Sequence, residues 1–135
     1  MAGIDNLEVL LRSMCPILSP THYVFCSVKG DLENFVYLKP LASFVESEGL
    51  TLILEKQRAD EAQISYQQIY QQITLSVHSS LEAVGLTAAF ANKLAEYQLS
   101  ANVVAGYYHD HIFVQADKAE IALSALKELQ LQNID

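Results

Sequence analysis

The chain has 135 residues and a formal net charge of −8, which comes from 16 acidic residues set against 8 basic ones. No run of lysine or arginine offers the charge needed to neutralise phosphate groups, so the composition argues against nucleic acid or an anionic membrane as a partner. A hydrophobic fraction of 51% with 18% charged residues is typical of a packed globular chain and excludes a disordered one.

The first half of the chain begins with a predicted helix. Asp5 and Glu8 are spaced as a capping box, and apolar residues follow at helical intervals, which predicts a helix over 5–14. Pro16 and Pro20 are expected to end this helix. The elements predicted next are a strand over 22–28, a β-hairpin with strands over 41–45 and 50–55 around the polar turn 46–49, and a short polar helix over 57–64.

The second half begins with an alternating strand. Ile73, Leu75 and Val77 alternate with polar residues over 73–78, which predicts a strand with one face in the core. The alanine-rich segment 86–99 carries its larger apolar residues at helical spacing, so it predicts a helix. The remaining predicted elements are strands over 100–106 and 111–115, and a last helix capped by Asp117 and Glu120 with the apolar stripe Ile121, Ala122, Ala125, Leu126 and Leu129.

The two halves of the sequence resemble each other. A slide of sixty residues places 41–62 on 101–122, so that hairpin falls on hairpin and helix start on helix start. The strand 24–28 matches 73–77 only at a shift of forty-nine. The two shifts differ by eleven residues, which correspond to about three helical turns. The first copy is therefore expected to lack most of its first helix. A tandem duplication explains this pattern, and a chance similarity between two hairpins is the alternative.

The order of the elements predicts an α+β fold made of two units. Each unit follows the split βαβ pattern of ferredoxin-like folds, βαββαβ, with an antiparallel sheet and helices on one face. We assign 1–68 to the first unit, including the leading helix 5–14, and 69–135 to the second. The other face of each sheet would be bare, and its mixed side chains would be covered by self-association.

The run from Ile73 to Val103 resembles an ACT domain, the small regulatory domain that binds amino acids. It is similar to the regulatory region of lysine-sensitive aspartokinase, in which a His-Ser pair is likewise followed by a loop, a glycine and an alanine-rich helix. With Val77–Gly85 and Ser100–Val114 included, nearly the whole chain is similar to stand-alone bacterial proteins made of two ACT-like units. The resemblance implies a homodimer that joins the sheets of its subunits.

The resemblance also implies a ligand site, at the loop between a first strand and first helix facing a strand of a neighbouring unit. The implied residues are His78, Ser79, Ser80, Leu81, Glu82, Gly85 and Leu86 in the loop, and Asn102, Val103, Val104 and Ala105 in the strand. Glycine before a helix allows close backbone approach, and first-turn N–H groups suit a carboxylate. Asn102 stands where aspartokinase has an acidic residue, which leaves lysine itself in doubt as the ligand.

The resemblance therefore implies a non-catalytic regulatory protein that binds a small metabolite, most simply an amino acid, and signals to an unknown protein partner. The alternatives are a scaffolding dimer without a ligand, and a metal-responsive sensor that uses His109 and His111 beside His78. A polar hairpin turn explains these histidines more simply, because no further ligand completes a tetrahedral set. We therefore expect no metal and no cofactor.

No side-chain pattern indicates an enzyme. His78 and Ser79 are adjacent on a strand and would point apart, so they cannot form a nucleophile and its base. Cys15 and Cys26 match no metal or disulfide spacing, and we interpret both as reduced. Since the sequence shows no targeting pattern and no window long enough to span a membrane, a cytoplasmic location is expected.

Overall fold

The computed structural model describes residues 6–76 and 85–132. Its chain divides into two compact units. The terminal unit combines Met1–Pro20 with Gln71–Asp135, and the central unit is Thr21–Tyr70. The leading helix therefore belongs to the terminal unit, whereas the division of the sequence between residues 68 and 69 stays a prediction.

The elements follow the predicted order along the chain. They are α1 (Leu7–Ser13), β1 (Pro16–Val28), β2 (Ala42–Val45), β3 (Leu50–Glu55), α2 (Lys56–Glu61), β4 (Ile69–Leu75), α3 (Leu86–Glu96), β5 (Asn102–Ala105), β6 (Asp110–Gln115) and α4 (Ala119–Leu131). Short 3-10 turns occupy Leu32–Asn34, Val36–Leu38 and Ala116–Lys118. The fold is thus α+β, as the sequence predicted.

In the terminal unit the strands lie in the order β1-β4-β6-β5. Ile73 and Leu75 of β4 are buried, while Thr74 between them is half-buried, which confirms the predicted alternation over this part of the strand. Helices α1, α3 and α4 pack on the buried face of the sheet, and their core residues include Leu10 and Phe90. The core therefore lies between one sheet face and three helices.

In the central unit the strands lie in the order β2-β3-β1. Val24 of β1 pairs with Leu54 of β3, and both are fully buried in a second core. Every residue of this unit is described, and the segment between β1 and β2 contains two 3-10 turns and no α-helix. This agrees with the expected loss of the first helix.

The two hairpins have the same register. Ala42 lies opposite Ile53 in β2 and β3, and Asn102 lies opposite Phe113 in β5 and β6. The ends of the two hairpins also correspond, since Val45 faces Leu50 as Ala105 faces Asp110. Each pair is related to its counterpart by the sixty-residue shift found in the sequence, and a chance resemblance between hairpins would not require this agreement.

Both ends of the first predicted helix differ from expectation. Asn6 is the N-cap of α1, and its Oδ1 accepts a hydrogen bond from the Val9 N–H at 3.1 Å. Asp5, the predicted cap, lies outside the described residues. The strand β1 starts at Pro16 and runs through Pro20, because a proline is tolerated where its missing N–H is not needed for pairing.

The last helix also differs in detail. Its N-cap residue is Lys118, and no side chain caps it, so the predicted capping by Asp117 and Glu120 is wrong. Ile121 is 50% exposed, whereas Ala119 is buried and begins the stripe instead. The stripe recurs at intervals of three and four residues from Ala119, which turns Ile121 away from the sheet.

The face of the sheet opposite the helices is not bare in either unit. Phe113 of β6 is 1% exposed although its strand neighbours Ile112 and Val114 belong to the helix-side core. Ile53 of β3 is likewise 4% exposed between two core residues. Because alternate strand residues point to opposite faces, each unit buries at least one large side chain on its second face.

Candidate functional site

The start of α3 is the described part of the predicted ligand loop. Gly85 is the N-cap of α3, with φ +97° and ψ −17°, and no side chain makes a capping hydrogen bond there. The Ala89 N–H donates to the Gly85 carbonyl at 2.9 Å, so the helix begins directly after this glycine. The first turn contains no acidic residue, and its N–H groups carry the positive end of the helix dipole.

The side chains next to Gly85 belong to the core. Leu86 is buried among the residues that join α3 to the sheet, so only its backbone could meet a ligand. A Cβ atom at Gly85 would lie 3.1 Å from Cδ2 of Leu7 on α1. The other predicted loop residues, His78, Ser79, Ser80, Leu81 and Glu82, lie outside the described residues.

The predicted strand residues form β5, at the edge of the terminal unit's sheet. Asn102 is half-buried, and its Nδ2 donates to the carbonyl oxygen of Phe113 at 3.1 Å. Val103 packs against the helix-side core, Val104 is half-buried and Ala105 is exposed. The amide of Asn102 thus orients the hairpin. None of the hydrogen bonds between described residues joins β5 to the start of α3.

The histidines of the second hairpin are placed in a polar cluster. Nδ1 of His111 lies 3.0 Å from Nε2 of Gln72 and 3.0 Å from Oγ1 of Thr74. Nδ1 of His111 therefore lies within hydrogen-bonding distance of two uncharged side chains of β4. Burial lowers the pKa of His111, with a further contribution from His109.

Burial also raises the pKa of Asp110, against the opposing effect of both histidines. His109 has a buried Nδ1 without a hydrogen-bond partner. Over residues 6–76 and 85–132, no three His, Cys, Asp or Glu side chains are grouped so that they could hold a metal ion. The metal-sensor alternative therefore gains no support from this part of the chain, and His78 lies outside it.

One buried charge was missed by the sequence analysis. Lys93 on α3 is buried, and its Nζ lies 2.7 Å from Oε1 of Glu128 on α4 and 3.5 Å from Glu96. Tyr97 donates its hydroxyl hydrogen to the second carboxylate oxygen of Glu128 at 2.6 Å. Hydrogen bonds from Lys93 and Tyr97 lower the pKa of Glu128, and the cluster joins α3 to α4. The position of Lys93 seven residues after Leu86, on the buried face of the helix, was the signal available in the sequence.

The two cysteines lie in different environments. Cys26 is buried, and burial raises the pKa of its thiol, which favours the unreactive protonated form. Cys15 is exposed and free. Among the described residues, no helix has both the length and the apolar character to cross a bilayer.

Comparison with known proteins identifies both halves of the chain. Models of the ACT-domain family match residues 2–71 and residues 69–128. Among curated proteins, none matches this sequence. A solved Vibrio cholerae protein, described as of unknown function and as a possible transport protein, shares 56% sequence identity and has a TM-score of 0.86. That comparison covers 96% of this chain and 99% of the other.

Two aspartate kinase structures share the fold at low identity. The ligand-free regulatory subunit from Thermus thermophilus has a TM-score of 0.61 at 12% identity, over 84% of this chain and 95% of that subunit. Aspartokinase III of E. coli, in complex with aspartate and ADP, has a TM-score of 0.62 at 12% identity, over 90% of this chain and 34% of that enzyme. With a family model matched to each half, this chain belongs to the ACT-domain family and carries two ACT domains in tandem.

Proposed function

We propose that this chain is a non-catalytic regulatory protein that binds an amino acid at the loop before α3 and signals its occupancy to another protein. The proposal draws on the ACT-domain family and on the fold that the chain shares with a regulatory subunit of aspartate kinase. The bound state would have to favour one arrangement of units over another, because a ligand shifts an equilibrium only through differential affinity.

The observation that carries the proposal is the glycine N-cap of α3. Ser, Thr, Asp and Asn are preferred at helix starts because their side chains can occupy first-turn N–H groups, and Gly85 has no side chain to do so. The carboxylate of an amino acid would find N–H donors and a favourable dipole there. Residues 78–82 of the loop and the strand Asn102–Ala105 complete the proposed site.

A thermal-shift panel of the twenty amino acids, with zinc and nickel as the contrasting arm, tests the proposal. A ligand at one hundred times its Kd adds about 2.7 kcal/mol to stability, which raises Tm by about 8–10 °C for a chain of this size. A response to one or a few amino acids is expected. A shift with metal alone would replace the proposal by the metal sensor, and no shift with any compound would favour the scaffolding dimer.

The site itself is tested at Thr87, an exposed residue in the first turn of α3. Thr87→Glu places a carboxylate beside the N–H groups that the ligand would use, and such a charge stabilises a helix start. The variant should remain folded and lose the amino-acid response. Thr87→Gln has nearly the same shape without the charge and should keep it. Equal responses from the two variants would locate binding elsewhere.

The proposed assembly is a homodimer. Strand β2 lies at the edge of the central unit's sheet, with Phe44 71% and Val45 82% exposed, and it carries no charged residue that would discourage pairing. Light scattering at micromolar concentrations should give twice the mass of the chain, and Phe44→Lys should give a monomer. Tyr107→Lys, at a similarly exposed aromatic in the terminal unit, should leave the mass unchanged.

A further inference from the structure

The central unit contains a cavity that the proposed amino-acid site does not use. It has a volume of about 420 Å³ and opens between β1 and the segment that leads into β4. This size lies within the range of small-molecule sites. Its lining consists of three aromatic side chains, two serines and two glutamines, namely Phe25, Tyr66, Tyr70, Ser27, Ser65, Gln67 and Gln68.

The aromatic walls of the cavity are held in place. The rings of Phe25 and Tyr70 meet edge to face, with their centroids 5.1 Å apart and an interplanar angle of 65°. Both residues lie in strands, and Phe25 alternates with Val24 and Cys26, which point into the central core. Tyr66 packs against that core and donates its hydroxyl hydrogen to Oδ1 of Asp60 at 2.7 Å. A ligand would therefore meet aromatic side chains that have packing or hydrogen-bond partners of their own.

The polar groups of the lining are all uncharged. The serine hydroxyls and the amides of Gln67 and Gln68 can each donate and accept hydrogen bonds, whereas no lining residue is basic or acidic. A zwitterionic amino acid would find no charged partner for its ammonium or its carboxylate. A phosphate would find no cation, in a chain whose net charge is −8.

Stacking surfaces combined with neutral donors and acceptors suit a planar ring with polar edges. Aromatic side chains stack on heterocyclic bases, and amide side chains bond to the edges of those bases. We propose that this cavity binds an uncharged heteroaromatic ring of the nucleobase class, as a free base or a nucleoside. The site lies wholly within Thr21–Tyr70 and is independent of the loop before α3.

The first test measures binding to the full chain by calorimetry and by saturation-transfer NMR. The probes are adenine, guanine, uracil and cytosine, their nucleosides, and the matching nucleoside monophosphates. At least one base or nucleoside should bind below 1 mM, and its monophosphate should bind at least fivefold more weakly. A monophosphate that binds more tightly than its nucleoside would overturn the neutral-ring assignment, and so would the absence of any binding at 1 mM.

The second test uses variants of the lining. Tyr70→Ala removes an aromatic wall and should weaken binding by at least fivefold, as expected for the loss of one stacked ring. Gln67→Ala removes an exposed amide without touching the core and should weaken binding by at least threefold. Tyr107→Ala, at an exposed aromatic outside the cavity, is the matched control and should bind as the wild type does. Unchanged affinity in both lining variants would overturn the proposal, whatever the amino-acid panel shows.

Discussion

Replacing Gly85 by alanine should destabilise the terminal unit through two separable effects. The φ of +97° is a conformation that L-residues rarely adopt, and it costs a non-glycine residue about 1–2 kcal/mol. The added Cβ would also lie 3.1 Å from Cδ2 of Leu7, so the Leu7 side chain must move by a few tenths of an ångström. Leu7 packs against the core, and shifting it off its rotamer costs about 0.5–1.5 kcal/mol.

The two effects together predict a loss of about 1.5–3.5 kcal/mol in the free energy of unfolding. For a chain of this size that loss lowers Tm by about 5–14 °C. Urea unfolding followed by far-UV circular dichroism measures the change, at one fixed protein concentration because a dimer would make stability depend on concentration.

A double-mutant cycle separates the contact from the backbone strain. In a Leu7→Ala background the contact is absent, so Gly85→Ala should cost about 0.5–1.5 kcal/mol less than in the wild type. Gly30→Ala is the control, since Gly30 also has a positive φ but its added Cβ would lie at an ordinary 3.4 Å from Phe35. The loss of stability caused by Gly30→Ala should be the same with and without the Leu7→Ala substitution. The reasoning fails if Gly85→Ala costs less than about 0.5 kcal/mol, or if its cost is the same in both backgrounds.

Three further predictions test other parts of the structure. Leu126→Ala should cost about 2–5 kcal/mol because the side chain is fully buried, whereas Ile121→Ala on the same helix should cost less than about 1 kcal/mol. Asn6→Ala removes the side-chain cap of α1 and should cost about 1 kcal/mol in the same urea assay. Burial lowers the pKa of His111 below 6.5, so the ring should titrate below that value by proton NMR, and stability should fall as the pH drops from 6.5 towards that pKa. A midpoint at or above 6.5 would contradict a pKa of His111 that burial lowers.

The elements that could be predicted from sequence are those fixed by local patterns. The hairpin of β5 and β6 combines two short apolar strands with a turn that contains Gly106, and each of these signals is read within a few residues. The same holds for α3, where a glycine precedes a helical repeat of Leu86, Phe90 and Leu94. The sixty-residue shift relates this hairpin to the hairpin of β2 and β3. Hairpins with equal strand and turn lengths are expected to pair in the same register.

The features that sequence analysis missed depend on contacts between distant segments. Lys93 is buried because Glu128 of α4 is placed beside it, and no local pattern reports that partner. Ile121 is turned away from the core because α4 starts its buried stripe at Ala119. The cavity beside Phe25 likewise forms only where β1 meets a segment forty residues further along the chain. Of the proposed ligand loop, the sequence could indicate the glycine and the helix start, but the ligand chemistry rested on family resemblance.

The difference between the two ACT domains leads to a prediction about ligand number. In the terminal unit, α3 starts after a glycine and has no acid in its first turn. The corresponding place in the central unit has a 3-10 turn with Asp31 as its N-cap and Glu33 in its first turn. These carboxylates would repel the carboxylate of an amino acid, and a single short turn offers little dipole to offset the repulsion. Under the proposed function, calorimetry should therefore find one amino acid per chain, and that one should be lost in Thr87→Glu. Two equivalent sites per chain would show that the glycine N-cap is not what selects the ligand.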